Sequence, residues 1–177
     1  MSACKRTAQA CRGVTILELM IAVSVLAAII AAVYETAIVG LRTASADDQR
    51  ESLRVQLVRA VDLLTREAQL TSHVDHAQDQ QFQLDADLDG DGTTENNINY
   101  QVTGGQFQRT YNGTTVTLVS NLSALDFDYV DLTGAAMSTP VGSGSRDDIR
   151  ILQITMTAAT GAESVSLTAA AYLGNNS

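Results

Sequence analysis

The chain has 177 residues, 45% of them hydrophobic and 18% charged, enough for one compact domain plus one long helical appendage. Its formal charge is −9. Residues 1–13 hold three basic residues and no acid, so without them 8 basic residues face 20 acidic ones, a net charge of −12. Such a surface repels phosphate backbones, which argues against general nucleic-acid binding.

The first thirteen residues carry Lys5, Arg6 and Arg12 together with Cys4 and Cys11, the two cysteines of the sequence. If this segment is removed, the remainder can form neither a disulfide nor a thiolate metal site. Residues 14–34, VTILELMIAVSVLAAIIAAVY, are apolar except for Thr15, Glu18 and Ser24. As a helix they span about 32 Å at ~1.5 Å per residue, enough to cross a bilayer core. The basic residues ahead of them place the N-terminus in the cytoplasm. A secretory signal peptide would have a shorter apolar region, roughly 7–15 residues, with its small-residue cleavage site behind it. Here the small residue, Gly13, stands in front.

Glu18 is the costly residue of this stretch. A charged side chain at the centre of a membrane helix costs roughly 2.5–3.5 kcal/mol on insertion scales, and less near the edge. A partner is therefore expected. Cleavage between Gly13 and Val14 would create a positive amine at Val14. In a staggered stack of copies that amine can meet Glu18 of the next copy. In low-dielectric surroundings the pairing is directional and sets the axial register.

The run Arg12-Gly13-Val14-Thr15-Ile16-Leu17-Glu18-Leu19 resembles the type III signal of type IV pilins and type II secretion pseudopilins. The resemblance implies cleavage after Gly13 by a prepilin peptidase that also acts as the N-methyltransferase, then methylation of Val14. It also implies subunit registration through Val14 and Glu18. Val14 stands where the family usually has Phe. The implied organisation is a leader, residues 1–13; a transmembrane and filament-core helix, residues 14–40; and a soluble head, residues 41–177.

Beyond Tyr34 the pattern stays helical and turns amphipathic. Leu53, Leu57, Val61, Leu64 and Ala68 fall on one face, while Arg50, Glu51, Arg54, Arg59, Asp62, Arg66 and Glu67 populate the others. The spacing predicts one helix from about Thr15 to about Leu70, with the amphipathic half over residues 41–72. Gly40 is a local weak point in it. From Gln81 onward, alternating runs predict an antiparallel sheet over residues 81–173. Ile98–Thr103 and Gln106–Tyr111 flank Gly104-Gly105. Asn112-Gly113 then turns into Thr114–Val119, the strongest short hairpin signal in the sequence. Leu125, Phe127 and Tyr129 share one face of the next strand, and Ile149–Thr157 pairs with Ser164–Leu173. Residues 134–148, rich in Gly, Ser and Thr, read as an exposed loop. The predicted class is α+β, a long helix on an antiparallel sheet, as in the pilin fold. Val33-Tyr34-Glu35-Thr36, Leu63-Leu64-Thr65-Arg66-Glu67 and the closing strand through Leu173-Gly174-Asn175 are similar to PilW-type minor pilins. A GspJ-like pseudopilin of type II secretion shares the same anchor.

Two clusters could bind metal. Asp87, Asp89, Asp91 and Gly92 spell D-x-D-x-D-G, the opening of a calcium loop, in which alternate carboxylates converge on a hard cation. Asp85, Asp87, Asp89, Asp91, Thr93 and Glu95 are the candidate ligands. Loop position twelve is Ile98, so the bidentate glutamate of an EF-hand is missing, and a shorter calcium-stapled turn is the better analogy. The other reading is a solvated acidic turn. His73 and His76 flank Asp75 at a spacing compatible with one helical face, where surface histidines without metal are the commoner case. There is no Gly-rich phosphate loop, HExxH or nucleophile elbow, so no enzyme activity and no required cofactor are expected. The expected role is a minor pilin that primes or modifies a type IV pilus. It would enter from the inner membrane with its N-terminus cytoplasmic, ending in the pilus or a periplasmic pseudopilus. Its expected partners are the peptidase, other major and minor pilins or pseudopilins, the inner-membrane assembly platform and, before assembly, lipid. A calcium-dependent adhesive head carried on a pilus is the reading from a different class.

Overall fold

A computed structural model describes residues 15–161 and 163–174. Gly13, Val14 and the basic leader lie outside them. One helix, α1 (Ile16–Gln69), runs through Gly40 without a break. Thr15 begins it: its hydroxyl accepts the Glu18 amide N–H at 3.3 Å, and its carbonyl accepts that of Leu19 at 3.1 Å. Thr15-x-x-Glu18 is thus placed as a capping sequence, with an acid in the first turn where the helix dipole favours it. The chain divides into two compact units after Ser45.

In the first unit, residues 15–37 of the chain are exposed all round, which a water-soluble helix of that composition would not tolerate. The hydroxyls of Ser24, Thr36 and Thr43 bond back to the carbonyls of Met20, Ala32 and Val39 at 2.8–3.0 Å. The segment therefore presents few unsatisfied polar groups to an apolar surround.

The second unit holds the C-terminal part of α1 and two antiparallel sheets. The predicted stripe Leu53, Leu57, Val61, Leu64 and Ala68 is buried, joined by Ala60 and Glu67. Five strands form a meander in chain order: β1 (Thr71–Ala77), β2 (Gln81–Ala86), β3 (Glu95–Thr103), β4 (Gln106–Tyr111) and β5 (Thr114–Val119). The second sheet holds β6 (Leu122–Asp131), β7 (Ala136–Met137), β8 (Ile149–Thr160) and β9 (Glu163–Tyr172) in the order β7-β6-β8-β9. Asn112 and Gly113 both have positive φ, 50° and 74°, as the two-residue turn between β4 and β5 requires. Phe127 of β6 lies 6.2 Å from Phe82 of β2 and 6.4 Å from Phe107 of β4, so aromatic rings from both sheets meet in one core.

The α+β class and the long helix are as expected, and three details are corrected. The expected single sheet is two sheets. The helix stops at Gln69, beside its expected end near Leu70, but the amphipathic half does not reach residue 72: residues 71–77 form β1, ahead of the expected start of the sheet at Gln81, and Thr71, Val74 and Ala77 are buried against the sheet. Leu70 N–H closes onto the Glu67 carbonyl at 3.1 Å, and the Thr71 hydroxyl bonds the same carbonyl. The expected loop 134–148 contains β7 and a 3-10 helix, Ser143–Asp148, and buries Val141. Val141 N–H bonds the Ala77 carbonyl at 2.9 Å and Arg146 bonds the Asp75 carbonyl, tying the segment to β1.

Candidate functional site

Two features carry the functional reading: the start of α1 and the acidic loop. On α1, Ile16, Leu17, Leu19, Met20 and Ile21 surround Glu18, each more than half exposed. The helix is long and apolar enough to cross a membrane. Among the described residues no cation reaches the Glu18 carboxylate.

The acidic loop joins β2 to β3. Asp87 accepts the N–H groups of Gly90 and Gly92, at 2.8 and 3.0 Å, on its two oxygens. Asp89 accepts Asp91 N–H at 3.1 Å, and Asp91 accepts Thr93 N–H at 2.7 Å. Gly90 and Gly92 take positive φ, 75° and 85°, which folds the chain tightly enough to bring alternate carboxylates together. An oxygen from each of Asp87, Asp89 and Asp91 lies within 4.8 Å of the others. Each carboxylate has further lone pairs to offer beyond the one or two amides it binds. Hydrogen bonds from the Thr93 side chain and backbone hold the Asp91 carboxyl below the usual range.

The other candidate ligands are turned to different tasks. Glu95 accepts Leu88 N–H at 2.6 Å, closing the loop at its base. Asp85 accepts Asn97 N–H at 2.7 Å, and burial raises its carboxyl against that bond. Thr93 contributes its amide to Asp91. His73 and His76 sit on β1, not on a helix, because the chain has already turned into the sheet. His73 Nδ1 faces Asp147 at 3.4 Å and its Nε2 faces Asp75 at 3.9 Å.

A buried polar cluster is hidden from the sequence pattern. By spacing Glu67 falls among the polar faces of the helix, yet it is 6% exposed. Its Oε2 accepts Tyr100 O–H at 2.6 Å and Arg109 Nε–H at 2.9 Å, and its Oε1 pairs with Arg109 Nη2 at 2.8 Å. Arg109 also stacks over the Tyr111 ring, 5.2 Å from its centroid. Burial, then the adjoining Glu67 carboxylate, pushes the Tyr100 hydroxyl far above its usual range. The cluster ties the end of α1 to β3 and β4. Only the conjunction of a glutamate on a helix face with one arginine in a strand hinted at it.

No curated protein matches this chain. Residues 9–34 match the family model described as the prokaryotic N-terminal methylation motif. The matched segment covers Gly13, Val14 and Glu18 and the first turns of the exposed apolar helix. The signal implies processing by a prepilin peptidase and assembly with other pilins, and with the apolar helix it fits a membrane-anchored protein before assembly. Residues 9–34 of this chain therefore carry a type IV pilin-like methylation signal, the mark of structural pilin- and pseudopilin-type proteins.

Proposed function

We propose that the protein is a minor pilin of a type IV pilus, cleaved after Gly13, methylated at Val14 and assembled through α1 to prime or modify the filament. The observation that carries this reading is Glu18, an acid ringed by exposed apolar side chains inside the matched signal. Such a carboxylate is unfavourable in lipid until a cation joins it, and a processed Val14 amine on an adjoining copy supplies one. The proposed organisation is a leader over residues 1–13, a membrane and filament-core helix over 14–40, and a head over 41–177. The test is Glu18→Ala in the full chain. The variant is expected to be cleaved normally and to enter sheared filaments poorly. Incorporation equal to that of the unaltered chain contradicts the register argument.

We further propose that Asp87, Asp89 and Asp91 hold one calcium ion that orders the β2–β3 turn without taking part in any reaction. Three carboxylates within 4.8 Å support it, since they repel one another until a cation is shared. Calcium chloride is expected to raise the melting temperature of the full chain in detergent, and Asp89→Asn to abolish the rise. Equal melting with calcium and with chelator identifies a cation-free acidic turn.

A further inference from the structure

We propose that the open edge of β9 pairs with the open edge of β5 from a second copy of this chain, extending one sheet into the next. The two strands end their respective sheets and do not pair with each other within one copy. β9 keeps an unbroken register with β8 from Ile151↔Tyr172 to Thr160↔Glu163. Its far edge is therefore a regular row of N–H and C=O groups. Neither Ser164–Tyr172 nor Thr114–Val119 contains a proline, a lysine or any other charge. A proline, a lysine or another charge is one of the devices by which proteins keep such an edge from pairing with another chain.

The β9 edge faces a groove of about 610 Å³ lined by the consecutive residues Ser164, Val165, Ser166 and Leu167. Successive side chains point to opposite faces, so a groove that touches four in a row follows the strand edge rather than one face. Leu57 and Val58 of α1 form its far wall with charged residues of the same helix. Leu57 is buried, but Val58 is 47% exposed. The groove is bounded where Arg50 pairs with Glu163, and strand and helix meet again where Gly174 N–H bonds the Ala68 carbonyl at 3.1 Å.

The occupant is identified by the sequence of β5. Thr115-Val116-Thr117-Leu118 and Ser164-Val165-Ser166-Leu167 share one alternation, hydroxyl on one face and aliphatic on the other. Hydroxyls already pair laterally next to both edges: Thr110 with Thr115 at 2.9 Å, Thr157 with Ser166 at 3.1 Å, and Thr155 with Thr168 at 3.4 Å. Laid along β9, a β5 edge continues that hydroxyl ladder. On the other face, Val116, 50% exposed in the single copy, reaches the groove beside Val58 and Val165. The contact is head-to-tail, so every copy offers both halves of it. It goes beyond the filament reading and does not depend on Val14 or Glu18.

Two differently tagged full chains, with Cys4 and Cys11 changed to Ser, are co-expressed in membranes. One carries Thr117→Cys and the other Ser164→Cys, Ser166→Cys or Thr168→Cys. Directly opposed cross-strand Cβ atoms lie roughly 4.5–5.5 Å apart, within reach of a disulfide after small adjustment. A mixed-tag disulfide dimer is expected for one of the three positions, well above Thr117→Cys with the exposed Ser145→Cys as control. Adding Val116→Lys to the Thr117→Cys chain is expected to bring the dimer down to control level while leaving its melting temperature unchanged. Yields no higher than control at all three positions overturn the proposal. So does capture of β9 by a different protein in place of the second copy.

Discussion

Replacing Glu67 by Ala is the sharpest perturbation of the head. The change leaves the Arg109 guanidinium without its bidentate partner and the Tyr100 hydroxyl without its acceptor. Breaking a buried pair from one side costs about 3–5 kcal/mol. Arg109 keeps 16% of its side chain exposed and can recover some hydration, which argues for the lower end, about 3 kcal/mol. The stranded Tyr100 hydroxyl pulls the other way, since an unsatisfied buried group costs about 1–3 kcal/mol. A loss of about 4 kcal/mol is the balance of the two. For a head of this size each kcal/mol moves the midpoint by roughly 3–5 °C, so thermal unfolding followed by circular dichroism should fall by more than about 10 °C. The control is the double change Glu67→Met with Arg109→Leu. It removes both charges together and should recover the part of the loss due to the stranded Arg109, because an apolar pair of similar volume often replaces a buried ion pair without cost, while the Tyr100 hydroxyl stays without its acceptor. A single variant within about 1 kcal/mol of the unaltered protein, below the cost of one unsatisfied buried group, refutes the reasoning. So does a double variant no better than the single one.

Alkali should act through the buried tyrosines. Tyr100 and Tyr129 are both held protonated, chiefly by burial, with hydroxyls well above the usual range. The unfolded chain ionises them near pH 10 while the folded chain does not. Their contribution is complete below that pH and is lost above it, at about 1.4 kcal/mol per pH unit for each tyrosine. Denaturant titrations at rising pH check this, and Tyr129→Phe should roughly halve the slope; an unchanged slope contradicts it. At Gly174 an added Cβ would stand 2.9 Å from the Thr71 carbonyl oxygen and closer still to that of Gln69. Gly174→Ala is expected to cost about 1–3 kcal/mol by overpacking, read from the denaturation midpoint. Substituting a bulky residue for Gly13 should leave the leader attached, and a normal mature mass for that variant would contradict the proposed cleavage.

Local chemistry made some elements readable and left others hidden. The β4–β5 hairpin was legible because Asn112-Gly113 meets a backbone requirement within two residues. Leu125, Phe127 and Tyr129 were legible as one face because strand alternation is a local property. The end of α1 near Leu70 was legible where its apolar stripe stops, but β1 was not: no glycine or proline separates Gln69 from residues 71–77, and His73-Val74-Asp75-His76 is polar enough to continue a helix surface. Strand β1 is set by the tertiary burial of Val74 and Ala77. Glu67 was hidden for the same reason, since Arg109 lies 42 residues away in sequence. The division into two sheets follows Ser120, whose N–H and hydroxyl both bond Gln56 of the helix at 3.3 and 3.1 Å, another long-range contact. At the candidate site, Glu18 and the convergence of Asp87, Asp89 and Asp91 were visible in spacing alone. The different duties of Asp85 and Glu95 depend on loop closure and were not.

The most direct test of the whole account is the N-terminal residue of the protein purified from membranes, by intact mass and sequencing. Assembly through α1 predicts a chain beginning at methylated Val14, with its amine available to Glu18 of a neighbour. A chain that retains Met1, or begins anywhere else, leaves that carboxylate without its proposed cation and contradicts assembly through this helix.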